Sequence, residues 1–225
     1  CIVNDITDKK FDQKVERTKN RPIASGKIST SLALLYALIL CLCAFLVLIN
    51  FNFLTIVLAI ASMPLAFAYP LMKRFTYWPQ LFLGITFNYG LILGWTSINN
   101  ELNIMPLVLY VGAIFWTLGY DTIYGFQDIN DDEMIGVKST SIKFKKNHKL
   151  FIGLCYSIFV LFLIILGFEI KNNMYYFVFI IIPIMHLFYQ VVKLNKNNPK
   201  SCLSIFRSNN SFGLIFCLVL LATNI

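Results

Sequence analysis

Charge is scarce in this sequence. Asp, Glu, Lys and Arg make up 13% of its 225 residues, about half of the roughly 25% usual in soluble domains. That shortage argues against an ordinary cytosolic enzyme and against a disordered tail. Apolar–polar alternation is also missing. The apolar residues come in long unbroken runs, which excludes the dyad pattern of an outer-membrane barrel. Histidine is down to two residues, and no CxxC pair occurs among Cys1, Cys41, Cys43, Cys155, Cys202 and Cys217. These cysteines read as free thiols acting as small apolar residues, not as a metal site or a disulfide framework.

What is plentiful is apolar bulk. Hydrophobic residues reach 58%, with 21 Phe and 11 Tyr, and mean hydropathy is +0.70. The fold class that follows is all-α, a multi-span transmembrane helical bundle with the lipid bilayer as its surroundings. A spanning helix needs about 20 mostly apolar residues. Seven runs qualify or come close, at 31–50, 54–72, 80–98, 104–125, 150–168, 174–193 and 211–224. Residues 1–12 read as the cytoplasmic end of an earlier helix. Because the first residue is Cys1 and a charged motif begins at once, N-terminal sequence is expected upstream.

The net charge of +8 does not point to nucleic acid, because the basic residues are placed for topology. Segments 9–27, 73–74, 138–149 and 193–207 hold 18 of the 19 Lys and Arg, and the intervening connections hold only Lys171. By the positive-inside rule the basic side is cytoplasmic.

All seven Asp fall in two places on that side: Asp5, Asp8 and Asp12, then Asp121, Asp128, Asp131 and Asp132. Helical spacings of three, four and seven put Asp5, Asp8 and Asp12 on one face, and likewise Asp121, Asp128 and Asp132. Stacked like charges repel, so something positive is expected between them. Mg²⁺ takes hard oxygen ligands through one or two carboxylates plus substrate phosphates. The pairs Asp8/Asp12 and Asp128/Asp132 suit a diphosphate clamped through Mg²⁺. Arg17 and Arg21 follow the first cluster, Lys138 follows the second, and Lys73 and Arg74 end a third span on the same side. Arginine supplies bidentate donors for an anionic leaving group. Each cluster is a helix end with an Asp stripe, a basic connection and a return helix, which suggests two half-bundles facing one cavity.

These residues carry a resemblance. NDITDKKFDQKVERTKNRPIASGKIS and YDTIYGFQDINDDEMIGVKSTS resemble the two signature segments of the UbiA family of intramembrane prenyltransferases. The wording of the second segment, together with YPLMKRFT and the late FRSNNSFG, is most similar to the 4-hydroxybenzoate branch serving ubiquinone synthesis. The resemblance implies one integral-membrane domain over 1–225 that lacks the family's first helix and most of its second. It also implies that Mg²⁺ assists departure of diphosphate from a polyprenyl diphosphate, and that the allylic carbon then alkylates the ring of 4-hydroxybenzoate. Asp8 and Asp12 match the first metal pair, with Asn4 and Asp5 opening that motif, and Asp128 and Asp132 match the second. Asp121 matches an acid near the ionising carbon or the acceptor. Arg17, Arg21, Tyr69 and Lys73 match residues of the diphosphate and acceptor pocket, with Arg74 and Lys138 as neighbours. The membrane implied is a bacterial or mitochondrial inner membrane, with the site on its cytoplasmic or matrix side.

Rival readings are a relative using another acceptor, such as haem, homogentisate or a naphthoate, and a transporter with a cation site. A transporter is expected to carry ionisable groups near the bilayer midplane, where this sequence has little beyond His186. His186 itself reads as a hydrogen-bonded packing residue and His148 as a surface residue. Asn209 and Asn210 read as the head of the last span. Phe82, Phe87, Tyr89, Trp95 and Phe115 are available to line a prenyl groove, though such residues are more often simple packing or lipid-facing ones.

Overall fold

The computed structural model describes residues 2–169 and 173–223. Cys1 and Lys171 lie outside the described residues. Thirteen α-helices run through the described residues: α1 (Ile2–Asp12), α2 (Thr30–Leu48), α3 (Phe53–Ala68), α4 (Met72–Phe75), α5 (Pro79–Phe87), α6 (Tyr89–Asn99), α7 (Ile104–Gly125), α8 (Ile129–Ile135), α9 (Thr140–Lys143), α10 (His148–Glu169), α11 (Asn173–Phe179), α12 (Ile181–Lys193) and α13 (Pro199–Ala222). A 3₁₀ turn at Tyr69–Leu71 joins α3 to α4. Among the described residues, seven helical stretches are long and apolar enough to cross a membrane: Thr30–Leu48, Phe53–Phe75, Pro79–Asn99, Ile104–Gly125, His148–Glu169, Met174–Lys193 and Pro199–Ala222. The protein is an integral membrane protein, and it contains no strand among the described residues.

Two spans are broken by side chains that reach the backbone. Between α5 and α6, the buried Asn88 amide donates to Gly84 O, Ala113 O and Thr117 Oγ1 at 2.8, 3.2 and 2.7 Å, so the break is pinned to α7. Pro70, inside the 3₁₀ turn, lacks the N–H that an uninterrupted helix would use. α3 and α6 are tied by Thr55 Oγ1 donating to Thr96 Oγ1 at 3.0 Å. With no hydrophobic drive between helices in lipid, such interhelical hydrogen bonds and close packing do the joining.

α7 is the hub, packed by α5, α6, α10 and α13. At Gly119 a Cβ would overlap the ring of Tyr156 on α10, so glycine is what lets these two helices close. Phe126, Phe159, Leu163, Leu187, Ile205 and Phe212 fill the core between α7, α10, α12 and α13. α2 is the opposite case: it packs on α1, and Ala33 is its only buried residue.

The last span departs from the sequence expectation. It begins at Pro199, not near 211, and is capped by Asn198, whose Oδ1 accepts from Lys200 N and Ser201 N at 3.1 and 3.2 Å. Arg207, Ser208, Asn209 and Asn210 interrupt the apolar run without ending the helix. Asn209 is buried and accepts from Trp116 Nε1 at 2.9 Å. It also accepts from Gln190 Nε2 at 3.2 Å, so its polarity is spent on neighbouring helices. Tyr156 Oη donates to Gln190 Oε1 at 2.7 Å, and His186 Nε2 lies 3.3 Å from Ser208 Oγ, as expected for a packing histidine. His148 is half-buried: its ring packs edge-on to Phe126, and its Nδ1 is buried with no hydrogen-bond partner among the described residues. Cys41, Cys43, Cys155, Cys202 and Cys217 are all free thiols.

The four basic segments meet at one end of the bundle. Arg17 reaches Asp128, Arg74 Nη2 donates to Thr7 O at 2.6 Å, Lys138 N donates to Lys73 O at 3.0 Å, and Lys196 Nζ donates to Lys145 O at 2.6 Å. Those bonds join stretches far apart in the chain into one charged cap.

Candidate active site

The cap encloses a cavity of about 270 Å³. Its wall is built by the inward face of α1, the connection to α2, the 3₁₀ turn and α4, the first turn of α5, the last turn of α7, and the 128–139 segment. Nearly every residue singled out from the sequence lines it: Asn4, Asp8, Asp12, Arg17, Arg21, Tyr69, Lys73, Asp121, Asp128, Asp132 and Lys138. Two do not. Asp5 stands just behind, pairing with Arg21 at 3.1 Å. Arg74 turns away to Thr7 O and lies over the Phe11 ring, where it fastens α1 to α4.

Both Asp clusters therefore face one space, as their spacing predicts. Asp8, only 2% exposed, pairs through Oδ2 with Lys73. Its other oxygen, Oδ1, is buried with no hydrogen-bond partner among the described residues. Asp12 accepts from Arg21 Nη1 at 3.1 Å. Across the cavity, Arg17 Nε donates to both Asp128 oxygens at 2.9 and 2.8 Å, and its Nη2 also reaches Oδ2. Arg17 Nη1 donates to Tyr124 Oη at 2.8 Å. This guanidinium comes from the connection that follows the first cluster and grips the second cluster, 111 residues later in the chain. The pairing with Asp128 holds Arg17 even more firmly protonated than usual.

Asp132 forms no ion pair among the described residues. Burial first, and then the Asp128 charge, push its carboxyl up to about 6. A carboxyl with a raised pKa, next to a cation-clamped one, is what a cleft awaiting a positive ligand contains.

Among the described residues no three His, Cys, Asp or Glu gather closely enough to cage a metal alone. The donor set nevertheless fits Mg²⁺, which takes one or two carboxylates and completes its shell with water and phosphate oxygens. An orphaned Asp8 Oδ1 and an unpaired Asp132 are hard oxygens free to ligate. Asp8, Asp12, Asp128 and Asp132 are the residues that would hold the ion.

The sequence reading missed half of the cavity lining, and four of those residues show why. Tyr124 stands in the quoted YDTIY motif but carries no charge to mark it. Gln80 and Leu83 sit in the first turns of an apolar span. Thr18 donates to Asp12 O at 3.1 Å. Conversely, Phe82, Phe87, Tyr89, Trp95 and Phe115 do not line this cavity. Trp95 lines a separate apolar one with Leu91, Ile98 and Leu220, and Phe115 packs on the core.

Residues 1–218 match the model of the UbiA prenyltransferase family. The chain belongs to that family. It is 38% identical to the mitochondrial 4-hydroxybenzoate polyprenyltransferase of Dictyostelium discoideum, covering 100% of this chain and 49% of that protein. It is 40% identical to 4-hydroxybenzoate geranyltransferase 2 of Lithospermum erythrorhizon, covering 96% of this chain and 71% of that one. The fold matches a solved UbiA homologue from Aeropyrum pernix K1 with a TM-score of 0.80 at 21% identity, over 100% of this chain and 84% of that one. The chain spans about half the length of the first of these relatives. Within this UbiA family chain, the two Asp clusters share one cavity.

Proposed function

We propose that this UbiA protein transfers a polyprenyl group from polyprenyl diphosphate to the ring of 4-hydroxybenzoate, as in ubiquinone biosynthesis. The observation that carries the proposal is Arg17 clamped on Asp128, with Asp8, Asp12 and Asp132 lining the same cavity. The two relatives described above are both named for 4-hydroxybenzoate, although one name specifies a polyprenyl and the other a geranyl donor. That pattern supports the acceptor more strongly than any prenyl length.

The chemistry needs little covalent help from the protein. The allylic C–O bond breaks, diphosphate leaves with the electron pair, a C–C bond forms beside the ring hydroxyl, and the displaced ring proton departs. Mg²⁺, held by Asp8, Asp12, Asp128 and Asp132, would supply positive charge to the leaving group. Arg17, Arg21, Lys73 and Lys138 are pre-placed cations in a partly dry cavity, where fixed charges stabilise a developing anion without reorganising. Asp121, on the cavity wall, would offset positive charge at the ionising carbon and take the ring proton. Tyr69 and Leu83 line the same cavity, Leu83 offering apolar surface to the start of the prenyl tail. The charged cap faces the cytoplasm or matrix of a bacterial or mitochondrial inner membrane, following the positive-inside rule.

The test is an assay of membranes containing the protein with a polyprenyl diphosphate and a panel of aromatic acceptors. Product is expected with 4-hydroxybenzoate, only with Mg²⁺, and at least about 10²-fold less with Asp8→Asn or Asp128→Asn. Unchanged turnover in both variants refutes the mechanism. Preference for homogentisate or a naphthoate refutes the acceptor.

A further inference from the structure

One cavity side chain is held in a single orientation by the fold yet has half of its hydrogen-bonding capacity unused. Gln80, in the first turn of α5, is only 7% exposed. Its Oε1 accepts from Thr140 N at 3.0 Å. A backbone N–H can only donate, so the atom facing it must be the amide oxygen, and the other must be the NH₂. That NH₂ has no hydrogen-bond partner among the described residues. It stands beside Gly125, 3.6 Å from where a Cβ would project, and both residues line the cavity.

The neighbouring groups are already committed. Ser139 Oγ accepts from Ile142 N at 3.2 Å. Ser141 Oγ donates to Thr122 O at 2.8 Å. Thr122 and Thr140 share a hydroxyl hydrogen bond at 2.6 Å. Gln80 is thus held by a hydrogen-bonded polar seam, and its free donor belongs to a residue of the cavity wall.

We propose that Gln80 Nε2 is a binding and specificity determinant that donates to an oxygen of the aromatic acceptor. This rests on the prenyl-transfer reading above. The diphosphate already has Arg17, Arg21, Lys73 and Lys138. A neutral donor flanked by Pro79, Leu83 and Gly125 instead matches a flat apolar ring bearing a single oxygen on that edge. A buried donor left unpaired is costly, so the site discriminates against rings that lack the oxygen.

Two variants separate this role from simple propping of the 138–141 segment. Gln80→Glu keeps an oxygen for Thr140 N–H but replaces the NH₂ with a second oxygen. Gln80→Met removes both partners at similar length. For Gln80→Glu the expected result is a rise of roughly tenfold or more in KM for 4-hydroxybenzoate, with KM for the prenyl diphosphate within about twofold of the parent. Gln80→Met is expected to show the same split and lower yield. Wild-type acceptor KM in Gln80→Glu overturns the assignment. So does a rise confined to the prenyl diphosphate, which would give the donor to that substrate instead. Direct titration of 4-hydroxybenzoate into the purified protein keeps the two readings apart. Binding that Gln80→Glu weakens, with no product formed, leaves Gln80 in its role and refutes the transfer reaction. Turnover with an unaltered acceptor KM refutes Gln80 alone.

Discussion

Asp132→Asn should stabilise the metal-free protein while disabling it. The carboxyl of Asp132 is pushed up to about 6 from its ordinary 3.8 by burial and by Asp128. A carboxylate whose folded pKa is raised destabilises the fold above that pKa, and the penalty disappears as pH falls towards the unfolded value. Metal-free protein should therefore gain stability from this group between about pH 6 and pH 4, the reverse of ordinary acid destabilisation. A shift of about 2 units corresponds to about 3 kcal/mol if fully expressed. Partial exposure and screening reduce that to about 1–2 kcal/mol.

The asparagine variant removes the penalty at neutral pH, so its apparent Tm without Mg²⁺ should rise by about 3–6 °C for a chain of this size. Its Mg²⁺-dependent turnover should fall. In the parent, the Mg²⁺ concentration for half-maximal activity should climb as pH drops through about 6, because the proton and the metal compete for one carboxylate. Thermal melts in detergent with and without Mg²⁺, and Mg²⁺ titrations of activity between about pH 5 and pH 8, measure both. A variant that melts below the parent at neutral pH without metal, or a Mg²⁺ requirement that ignores pH across that window, refutes the reasoning.

Other consequences are simpler to state. Arg17→Gln loses the fork on Asp128 and should lower kcat/KM by about 10²-fold. Because its side chain is 39% exposed, melting should change by less than about 1 kcal/mol. Gly125→Ala drives a methyl group into Ser141 Oγ and should cost about 1–3 kcal/mol; Ser141→Ala in the same chain should recover part of that in a denaturation series. Asn209→Leu leaves Trp116 Nε1 without its acceptor and Gln190 Nε2 with Ser208 Oγ alone, and should cost about 1–2 kcal/mol in unfolding measurements, with KM values nearly unchanged.

The spans were legible because lipid imposes one strong rule, a run of apolar residues long enough to cross, and six of the seven begin within two residues of expectation. The seventh was misjudged for a physical reason. Hydropathy counts Arg207, Ser208, Asn209 and Asn210 as breaks, whereas a helix tolerates polar side chains whenever neighbouring helices satisfy them, as Trp116 and Gln190 satisfy Asn209. The Asp and Arg positions of the site were legible because seven like charges in two clusters, six of them on two helix faces, need an explanation beside a membrane. Gln80 and Tyr124 were not legible. An amide and a phenol inside apolar spans look like packing residues until the fold shows which atoms are already bonded. Arg74 fails the other way, since adjacency to Lys73 in sequence says nothing about which side of α4 it takes.

The balance of charge in the cavity argues that the two ligands should bind together. Five carboxylates, Asp8, Asp12, Asp121, Asp128 and Asp132, face four cations, Arg17, Arg21, Lys73 and Lys138. Three of those cations are tied to carboxylates: Arg17 to Asp128, Arg21 to Asp12, and Lys73 to Asp8. Diphosphate alone would compete for cations already paired and would add negative charge to a site with no surplus of positive charge. With a divalent ion bound, Asp8, Asp12 and Asp128 would be shared with the metal, and Lys73, Arg21 and Arg17 would become available to the anion. Binding of either partner therefore prepares the site for the other, a coupling that is reciprocal by linkage. Titration of inorganic diphosphate into the protein should show little affinity without Mg²⁺ and at least about tenfold more with it, a coupling of about 1.4 kcal/mol. Equal affinity in both conditions would mean that the carboxylates are not where the metal goes.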